Sequence, residues 1–377
     1  MKKVKKILFG ITSLTIGGAE RVLVDLANEL CNDYDITIFT IYPNGEFEKS
    51  LSNKIKLKSL YNKRYNELSK IQKVFVPLKV WINKNQIYKK YIKENFDVEI
   101  AFLEGPITRL ISVKNRDTKK VAWIHNDISR VFGNNLKSKI KRHIDEKIYN
   151  KFDELVFVSK DNKKSFEKIY KNNAVKKEII YNYINSENIL KKSNDEIPEI
   201  FAEDELNFVT VARLVEQKGI DRLIRVHSKL IKENLKHKIW VIGDGPEYKK
   251  LESLVDINSV KDTFKLLGKR ENPYPYIKKA DYFCLLSYFE GYGMVLEEAK
   301  ILGKDILITN TAAREAVEGY EYATIIENNE NDIYKILKEK ILKGKDAINK
   351  SEKTKDYNNE DIIQKIKNIL DSKKGMR

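Results

Sequence analysis

Two carboxylates eight positions apart mark the segment of this chain best suited to chemistry. Glu290 precedes a Gly-x-Gly turn at Gly291 and Gly293, and Glu298 lies in the helix predicted to follow. The preceding run 281–287 reads as a buried strand, so the segment is strand, glycine turn and helix. Such a junction presents free backbone N–H groups to an anion at close range. About two helical turns, on the order of 12 Å, would separate the two acids, so they suit two parts of a long anionic ligand, such as a nucleotide-sugar.

Two cations accompany this segment. Arg213 follows a predicted strand at 206–212, and Lys218 with Gly219 opens the next helix. Both therefore fall at the carboxyl edge of a predicted parallel sheet, the same edge as the 290–298 segment. Arginine offers a planar fork and lysine a mobile point charge, so the two could clamp a diphosphate. Taken singly, each could be an ordinary surface residue in a chain with 71 lysines and arginines.

Further candidates follow predicted strands in the first half of the chain. Gly17 and Gly18 end the loop after the first strand, where paired glycines permit close approach of a sugar or phosphate, or simply form a tight turn. His125 ends the strand 119–124 and is predicted to point into a ligand cleft; the alternative is an edge or core histidine. Glu104 follows the strand 97–103 and is a weaker candidate for contact with an acceptor.

Several familiar sites are absent from the sequence. There is no G-x-G-x-x-G fingerprint in the loop around Gly17, no G-x-x-x-x-G-K-[ST] loop and no H-E-x-x-H or C-x-x-C zinc spacing. Asp33 and Asp35 form a D-x-D sequence, but it precedes a strand and is interpreted as a turn at the opposite sheet edge. The two cysteines, Cys31 and Cys284, lie in apolar segments, which favours a reducing compartment over a disulfide framework. Because the zinc spacings are absent and the D-x-D sequence is interpreted as a turn, we expect no metal site.

The elements that must position these residues alternate between short β-branched runs and helical periods, the pattern of doubly wound parallel sheets. In the first half, strands are predicted at 5–11, 35–42, 55–60, 97–103, 119–124, 154–158 and 178–183. Helices are predicted there at 18–31, 66–94, 106–113, 136–151 and 161–172. A second cycle predicts strands at 206–212, 238–242, 263–267, 281–287, 305–310 and 322–326, with helices at 219–233, 293–303 and 361–370. The polar stretch 190–204 is predicted to be a linker.

The charge is strongly positive and unevenly distributed. The net charge of the 377-residue chain is +16, and residues 54–93 carry twelve basic residues and one acid, Glu67, with six aromatic residues interleaved. Such a stretch suggests an anionic membrane surface or nucleic acid, and a merely solvated helix face is an equally good interpretation. The basic, then apolar, N-terminus imitates a signal peptide, but the apolar run is short and passes into an amphipathic helix. We expect a cytoplasmic protein, with peripheral attachment to the inner membrane face as a further expectation.

Taken together, these residues resemble the family 4 glycosyltransferases, which are retaining enzymes of the GT-B fold. The resemblance rests on Gly17-Gly18-Ala19-Glu20-Arg21, His125, Val211 to Leu214 with Gln217-Lys218-Gly219, Gly243-Asp244-Gly245-Pro246, and the pair Glu290 and Glu298. It implies two Rossmann-like domains facing a deep cleft: an acceptor-side domain at 1–190, a donor-binding domain at 205–356, and a helix at 357–377 crossing back to the first domain. One departure is the segment Thr311 to Glu315, where the family often has a Gly-Gly-x-x-Glu turn.

The resemblance also implies residue roles. Arg213 and Lys218 would hold the donor diphosphate, Glu298 the ribose, and Glu290 and His125 the donor sugar, with Arg213, Lys218, Glu290 and His125 acting at the reacting centre. The remaining donor-site positions implied are Gly17, Gly18, Gly243, Lys269, Arg270, Gly291, Gly293, Met294 and Val295. Glu104 stays a weak acceptor candidate. No cofactor is implied, because the nucleotide-sugar is a co-substrate. No metal is implied either, because Arg213, Lys218 and the helix end would supply the positive charge.

The expected function is retaining transfer of a sugar from a nucleoside diphosphate donor, with UDP-sugars favoured, to a lipid-linked or glycan acceptor in cell-surface polysaccharide or glycolipid synthesis. A nucleotide-sugar epimerase or dehydrogenase would need the missing dinucleotide fingerprint. A glycoside hydrolase would need two acids about 5–10 Å apart across one bond. The remaining alternative is a basic nucleic-acid-binding or non-catalytic nucleotide-binding protein on the same fold. The sequence leaves the sugar, the acceptor, the linkage, the displacement route and the oligomeric state open.

Overall fold

The computed structural model of this chain describes residues 4–15, 17–115, 117–126, 136–199, 201, 203–345, 348 and 359–374. The chain divides into two compact units. The N-terminal unit comprises Met1–Ile184 and Asn358–Arg377, and the C-terminal unit comprises Asn185–Tyr357. Among the described residues, no helix is long and apolar enough to span a bilayer.

The N-terminal unit contains one parallel sheet with helices between its strands. Its strands are β1 (Lys6–Ile11), β2 (Asp35–Thr40), β3 (Lys56–Ser59), β4 (Val98–Ala101), β5 (Lys119–Ile124), β6 (Glu154–Phe157) and β7 (Lys176–Ile179). The helices are α1 (Gly18–Leu30), α2 (Lys70–Tyr91), α3 (Pro106–Ile111), α4 (Leu136–Tyr149) and α5 (Lys160–Ile169). Every strand pair is parallel, in the order β3-β2-β1-β4-β5-β6-β7.

The C-terminal unit repeats this architecture with its own core. Its helices are α6 (Ser186–Lys192), α7 (Ile220–Lys232), α8 (Tyr248–Ile257), α9 (Tyr274–Lys279), α10 (Met294–Ile301) and α11 (Glu330–Lys343). Its strands are β8 (Leu206–Val211), β9 (His237–Ile242), β10 (Phe264–Gly268), β11 (Tyr282–Leu285), β12 (Asp305–Thr309) and β13 (Ala323–Ile326). They form a second parallel sheet in the order β10-β9-β8-β11-β12-β13.

Both sheets contain a switch point, where the strand order reverses. In the N-terminal unit β1 lies beside β4, and in the C-terminal unit β8 lies beside β11. Parallel sheets of this kind bind ligands outside the carboxyl ends of the strands at that point, because the loops on either side diverge and leave room. The loops after β1, β4, β8 and β11 are therefore the places to look for a site.

The final helix, α12 (Asn359–Asp371), belongs to the N-terminal unit. Lys119 at the start of β5 donates from its Nζ to the Ile369 carbonyl at 2.8 Å and to the Ser372 hydroxyl at 2.7 Å. Lys5 donates to the Leu370 carbonyl at 2.9 Å. The C-terminal end of the chain is thus tied to the first sheet by side chains that cap the last carbonyls of the helix.

Several predicted boundaries need correction. The helix predicted at 66–94 begins at Lys70, because Ser69 and Gln72 form a capping box, and its backbone departs from helical geometry at Asn83. The last strand of the first half lies at Lys176–Ile179 instead of 178–183. The stretch 190–204 starts inside α6 and is not wholly a linker. Helices α8, α9 and α11 had no counterpart among the predicted elements.

Candidate active site

Three predicted charged residues lie at the switch point of the C-terminal unit. Arg213 and Lys218 follow β8, and Glu290 follows its neighbour β11. The Nζ of Lys218 forms an ion pair with Glu290 Oε2, and both side chains are largely buried. The Ser287 hydroxyl donates to the same carboxylate oxygen at 3.2 Å. Residues 72 positions apart are therefore joined in one charged cluster.

Arg213 differs from its neighbours because its side chain is exposed. Within the described part of the chain, its guanidinium has neither a hydrogen-bond nor an ion-pair partner. The loop that carries it is nevertheless held on both sides: the Ala212 N–H donates to the Ile242 carbonyl at 3.0 Å, and the Leu214 N–H to the Asp244 carbonyl at 3.0 Å. A guanidinium without a partner on a fixed loop is suited to binding an anion.

The turn Gly243 to Pro246 supports that loop by close packing. A Cβ at Gly243, whose φ is +143°, would lie 1.9 Å from the Ala212 carbonyl oxygen, and one at Gly245 would lie 2.3 Å from the Leu214 carbonyl oxygen. Only glycine permits backbones to approach this closely. Close packing against the Arg213 loop therefore accounts for both glycines of this turn, and a role of Gly243 in the donor site stays a prediction.

The second glutamate lies on helix α10. Gly291 and Gly293 end the preceding loop, and Met294 and Val295 are the first two residues of the helix. Glu298 is half-buried, and its Oε1 accepts from the Tyr274 hydroxyl at 3.2 Å. The two predicted acids thus occupy different surroundings, one paired with a lysine and the other held by a tyrosine.

Lys269 and Arg270 follow β10, at the same edge of the sheet but two strands away from β8. Both are exposed. The guanidinium of Arg270 donates to Glu199 Oε1 at 2.5 Å, and Tyr276 donates to the other oxygen of Glu199 at 2.6 Å. Arg270 is therefore tied to a carboxylate, which leaves Lys269 as the more available cation of this loop.

In the N-terminal unit, Glu104 and His125 come together at the ends of β4 and β5. Glu104 Oε1 accepts from the backbone N–H groups of His125 and Asn126 at 2.7 and 2.8 Å, and Oε2 accepts from the Asn126 side chain at 2.8 Å. Burial raises the pKa of Glu104, whereas these hydrogen bonds act to lower it. The carboxylate of Glu104 thus orients the backbone of His125, and its contact with an acceptor stays a prediction.

The His125 side chain is partly buried and packs against Phe102. Its ring lies 4.8 Å from that of Phe102, centroid to centroid, and the Asn162 amide donates to its carbonyl at 2.9 Å. Its Nε2 is buried and makes no hydrogen bond to the described residues. Burial lowers the pKa of His125 to about 3, so the ring is neutral at physiological pH. It is suited to hydrogen bonding rather than to carrying charge.

The paired glycines after β1 are only partly open. Gly17 is the N-cap of α1 and Gly18 its first residue. The Glu20 carboxylate folds back over the cap, since a Cβ at Gly17 would lie 2.1 Å from Glu20 Oε2. Burial raises the pKa of Glu20. The Cβ direction at Gly17 is thus filled by the Glu20 carboxylate, and contact of a sugar or phosphate with Gly17 and Gly18 stays a prediction.

Some site residues were missed by sequence reasoning. Arg222 and Asn328 contact the backbone of the loop after β11, and Tyr274 contacts Glu298. Arg222 is one of 71 basic residues and carries no local signal, because its partners lie far along the chain. Within the residues the structure covers, no group of three or more His, Cys, Asp or Glu side chains could hold a metal ion.

Comparison with known proteins accounts for nearly the whole chain. The family model "Glycosyltransferase Family 4" matches residues 16–188, and "Glycosyl transferases group 1" matches residues 191–361. A relative from Campylobacter jejuni, N-acetylgalactosamine-N,N'-diacetylbacillosaminyl-diphospho-undecaprenol 4-alpha-N-acetylgalactosaminyltransferase, is 27% identical over 97% of this chain and 97% of its own. A second Campylobacter alpha-1,4-N-acetyl-D-galactosaminyltransferase, acting on a diNAcBac-PP-undecaprenol-linked saccharide, is 29% identical over 78% of this chain and 76% of its own.

The fold is also similar to that of solved structures. Anabaena HepE, solved in complex with UDP and glucose, superposes with a TM-score of 0.70 at 17% identity over 97% of this chain and 99% of its own. At that identity the likeness concerns the fold alone, and it is the two-sheet α/β fold called GT-B. Since both family models and the fold agree along the chain, this protein belongs to the family 4 glycosyltransferases.

Proposed function

We propose that this glycosyltransferase transfers a sugar from a UDP-sugar, with retention of configuration and without a metal, to a lipid-linked or glycan acceptor in cell-surface polysaccharide or glycolipid synthesis. The observation that carries the donor assignment is the cluster of Arg213, Lys218 and Glu290 around the switch point of the C-terminal sheet. The UDP complex of HepE and the diphospho-undecaprenol acceptors in the relatives' names support the choice of donor and acceptor. Retention rests on the family resemblance.

The proposed roles follow from the charges. Arg213 would bind the diphosphate through two N–H groups of its guanidinium. Lys218 would also contact the diphosphate, and its ion pair would keep Glu290 oriented toward the donor sugar. Glu298 would accept hydrogen bonds from the ribose. As the bond between the sugar and the diphosphate breaks, negative charge builds on the leaving diphosphate, and the preformed cations with the N-terminal end of the α10 dipole would stabilise it. By analogy with lost oxyanion donors, removing one such group would cost about 3–4 kcal/mol in the transition state.

Calorimetric titration with UDP, GDP and ADP, with EDTA present, tests the donor site. We expect the wild type to bind UDP and Arg213→Ala to bind it at least about 100-fold more weakly, because about 2.7 kcal/mol of diphosphate contact is lost. Lys232→Ala is the control, since Lys232 is exposed in the last turn of α7. Wild-type affinity in Arg213→Ala would refute that residue's role. Failure of a folded wild type to bind any of the three would refute the donor site.

For the acceptor side, we propose that α2 docks on an anionic membrane face. Ile71, Phe75, Leu78 and Ile82 recur at helical spacing on one face, and each is between 42 and 70% exposed. Val76 and Val80 lie on the buried face of the same helix. The helix contains lysines but no Asp or Glu, and the Lys73 ammonium lies 4.9 Å from the ring centroid of the exposed Tyr65. A helix apolar on one exposed face and basic around it suits an interface rich in anionic lipid.

Vesicle sedimentation tests this surface. We expect binding to phosphatidylglycerol-containing vesicles that weakens as salt rises, and little binding to phosphatidylcholine alone. The double variant Ile71→Ser with Phe75→Ser should lose most of the binding, while Leu342→Ser, which changes an exposed leucine of the C-terminal unit, should not. No vesicle binding by the wild type at low salt would remove the proposal. A complex with duplex DNA that survives moderate salt would instead favour nucleic-acid binding.

A further inference from the structure

The loop between β11 and α10 is held by four side chains from separate parts of the C-terminal unit. Four consecutive backbone carbonyls each accept a side-chain hydrogen bond: Leu286 from Arg222, Ser287 from Thr309, Tyr288 from Asn328, and Phe289 from Gln217. The distances between the donor nitrogen or oxygen and the carbonyl oxygen lie between 2.6 and 3.0 Å. These carbonyls lie beyond the end of β11, so strand pairing does not satisfy them. The loop is therefore fixed by its neighbours, and it leads directly to Glu290.

Arg222 makes the largest contribution to this network. It is the third residue of α7 and only 2% exposed. Its Nε and Nη2 both donate to the Leu286 carbonyl, at 3.0 and 2.6 Å, and its Nη1 donates to the Asn328 side chain at 2.8 Å. The guanidinium carbon also lies 4.2 Å from the centroid of the Tyr288 ring. One side chain thus contacts the start of the loop, its middle, and the segment that follows β13.

This use of a buried charge is specific to arginine. The three hydrogen bonds of Arg222 go to amide oxygens and none goes to a carboxylate, although burying a charge is costly. A planar fork that donates in two directions while stacking on an aromatic ring cannot be reproduced by the single ammonium of lysine. Close packing adds to the constraint, because a Cβ at Gly219 would lie 2.9 Å from Arg222 Nε. The three hydrogen bonds and the stacking on Tyr288 offset the free-energy cost of burying the charge. They also fix a loop geometry that other residue types would not maintain.

We propose that Arg222 is a positioning residue for the transfer reaction and that Asn328 assists it. By fixing the Leu286 to Phe289 backbone, they hold Glu290 where it meets the donor sugar, while Lys218 and Ser287 orient its carboxylate. The proposal rests on the donor site described above. Arg222 makes no contact with the nucleotide in this proposal. Loss of Arg222 therefore affects reaction of the sugar more than binding of UDP.

The test compares UDP affinity with UDP release from UDP-glucose and UDP-N-acetylgalactosamine, using Arg222→Lys and the milder Asn328→Ala. We expect UDP dissociation constants within about threefold of the wild type. The rate constant kcat should fall by about 100-fold in Arg222→Lys and about tenfold in Asn328→Ala, the scale of effect expected from a displaced catalytic group. Lys232→Arg is the control on the same helix, because Lys232 is exposed in the last turn of α7, and it should match the wild type.

Hydrogen exchange provides a second measurement that does not depend on the identity of the donor. Exchange at residues 286–291 should rise in Arg222→Lys, while exchange in α8 stays as in the wild type. The proposal is overturned by wild-type kcat or unchanged loop exchange in a folded Arg222→Lys. It is equally overturned if kcat and UDP affinity fall together, since that pattern indicates general damage. If Arg222→Lys does not fold, Asn328→Ala decides by the same criteria. Failure of the wild type to bind UDP would instead count against the proposed function, and loop exchange would still test the role of Arg222.

Discussion

Gly219 forms the hinge between the Lys218 loop and helix α7, and its backbone has φ +64°. A Cβ there would lie 2.6 Å from the Leu286 carbonyl oxygen, which is the acceptor of Arg222. We predict that Gly219→Ala destabilises the protein by about 2 kcal/mol or more, from left-handed backbone strain plus displacement of that carbonyl. Urea unfolding measures the change. Gly291→Ala is the control, because a Cβ there meets nothing within 4 Å; equal stabilities of the two variants would contradict the prediction.

A second residue-scale prediction concerns two buried histidines of the C-terminal unit. His227 Nδ1 lies 2.8 Å from His237 Nε2, and both rings are inaccessible to solvent. Burial lowers the pKa of each well below its usual range, to about 4 for His237. The unfolded chain takes up protons below about pH 6.5 while the folded rings remain neutral, so the unfolded state binds more protons. The stability these rings contribute is therefore complete above that pH and is lost as the pH falls toward 4.

Urea unfolding at a series of pH values between 6.5 and 4.5 checks this dependence. Each histidine should contribute a slope of up to about 1.4 kcal/mol per pH unit. His227→Gln should flatten the slope, because one proton no longer binds preferentially to the unfolded chain. His143→Gln changes an exposed histidine and should leave the slope as it is. The same slope in both variants would show that the buried pair does not govern acid stability.

At the scale of elements, α12 completes the N-terminal core. Ile366 is 1% exposed in that helix, and the neighbouring Lys365 faces solvent, where it pairs with Asp361. We predict that Ile366→Ala lowers the free energy of unfolding of the N-terminal unit by 2–5 kcal/mol, roughly the cost of a buried aliphatic cavity. Lys365→Ala should change it by less than about 0.5 kcal/mol. Hydrogen exchange at β5 is the measurement, with β9 as the internal reference; equal effects on both strands would contradict the assignment of α12 to the first unit.

At the scale of the whole molecule, each unit has its own sheet and apolar core, and the proposed UDP contacts Arg213, Lys218 and Glu298 all belong to the C-terminal unit. We therefore predict that residues 185–357, expressed alone, fold and bind UDP within about tenfold of the full-length affinity, a difference of about 1.4 kcal/mol. Circular dichroism and calorimetry check folding and binding, with Arg213→Ala in the fragment as the control. A folded fragment that does not bind UDP would mean that the donor site needs residues of the N-terminal unit.

The sequence by itself determined the fold class and the edge of the sheet on which the candidate donor-site residues lie. Parallel strands buried on both faces appear as short apolar runs, so β8 and β11 could be located, and residues that follow such strands share the carboxyl edge. Arg213, Lys218 and Glu290 were found for this reason. Helices such as α11 were missed because α11 mixes charged residues among its apolar ones and lacks a clear boundary.

Only the tertiary structure decided which side chains meet. Strand order places β8 beside β11, and that adjacency joins Lys218 to Glu290 across 72 positions and Arg222 to Leu286 across 64. The adjacency of β4 and β5 likewise turned Glu104 toward the backbone of His125. The spacing of apolar residues along an element indicates which of its faces is buried. The hydrogen-bond partner of a side chain depends instead on which elements pack together. Periodicity within one element carries no information about its partner, so these contacts could not be read from the sequence.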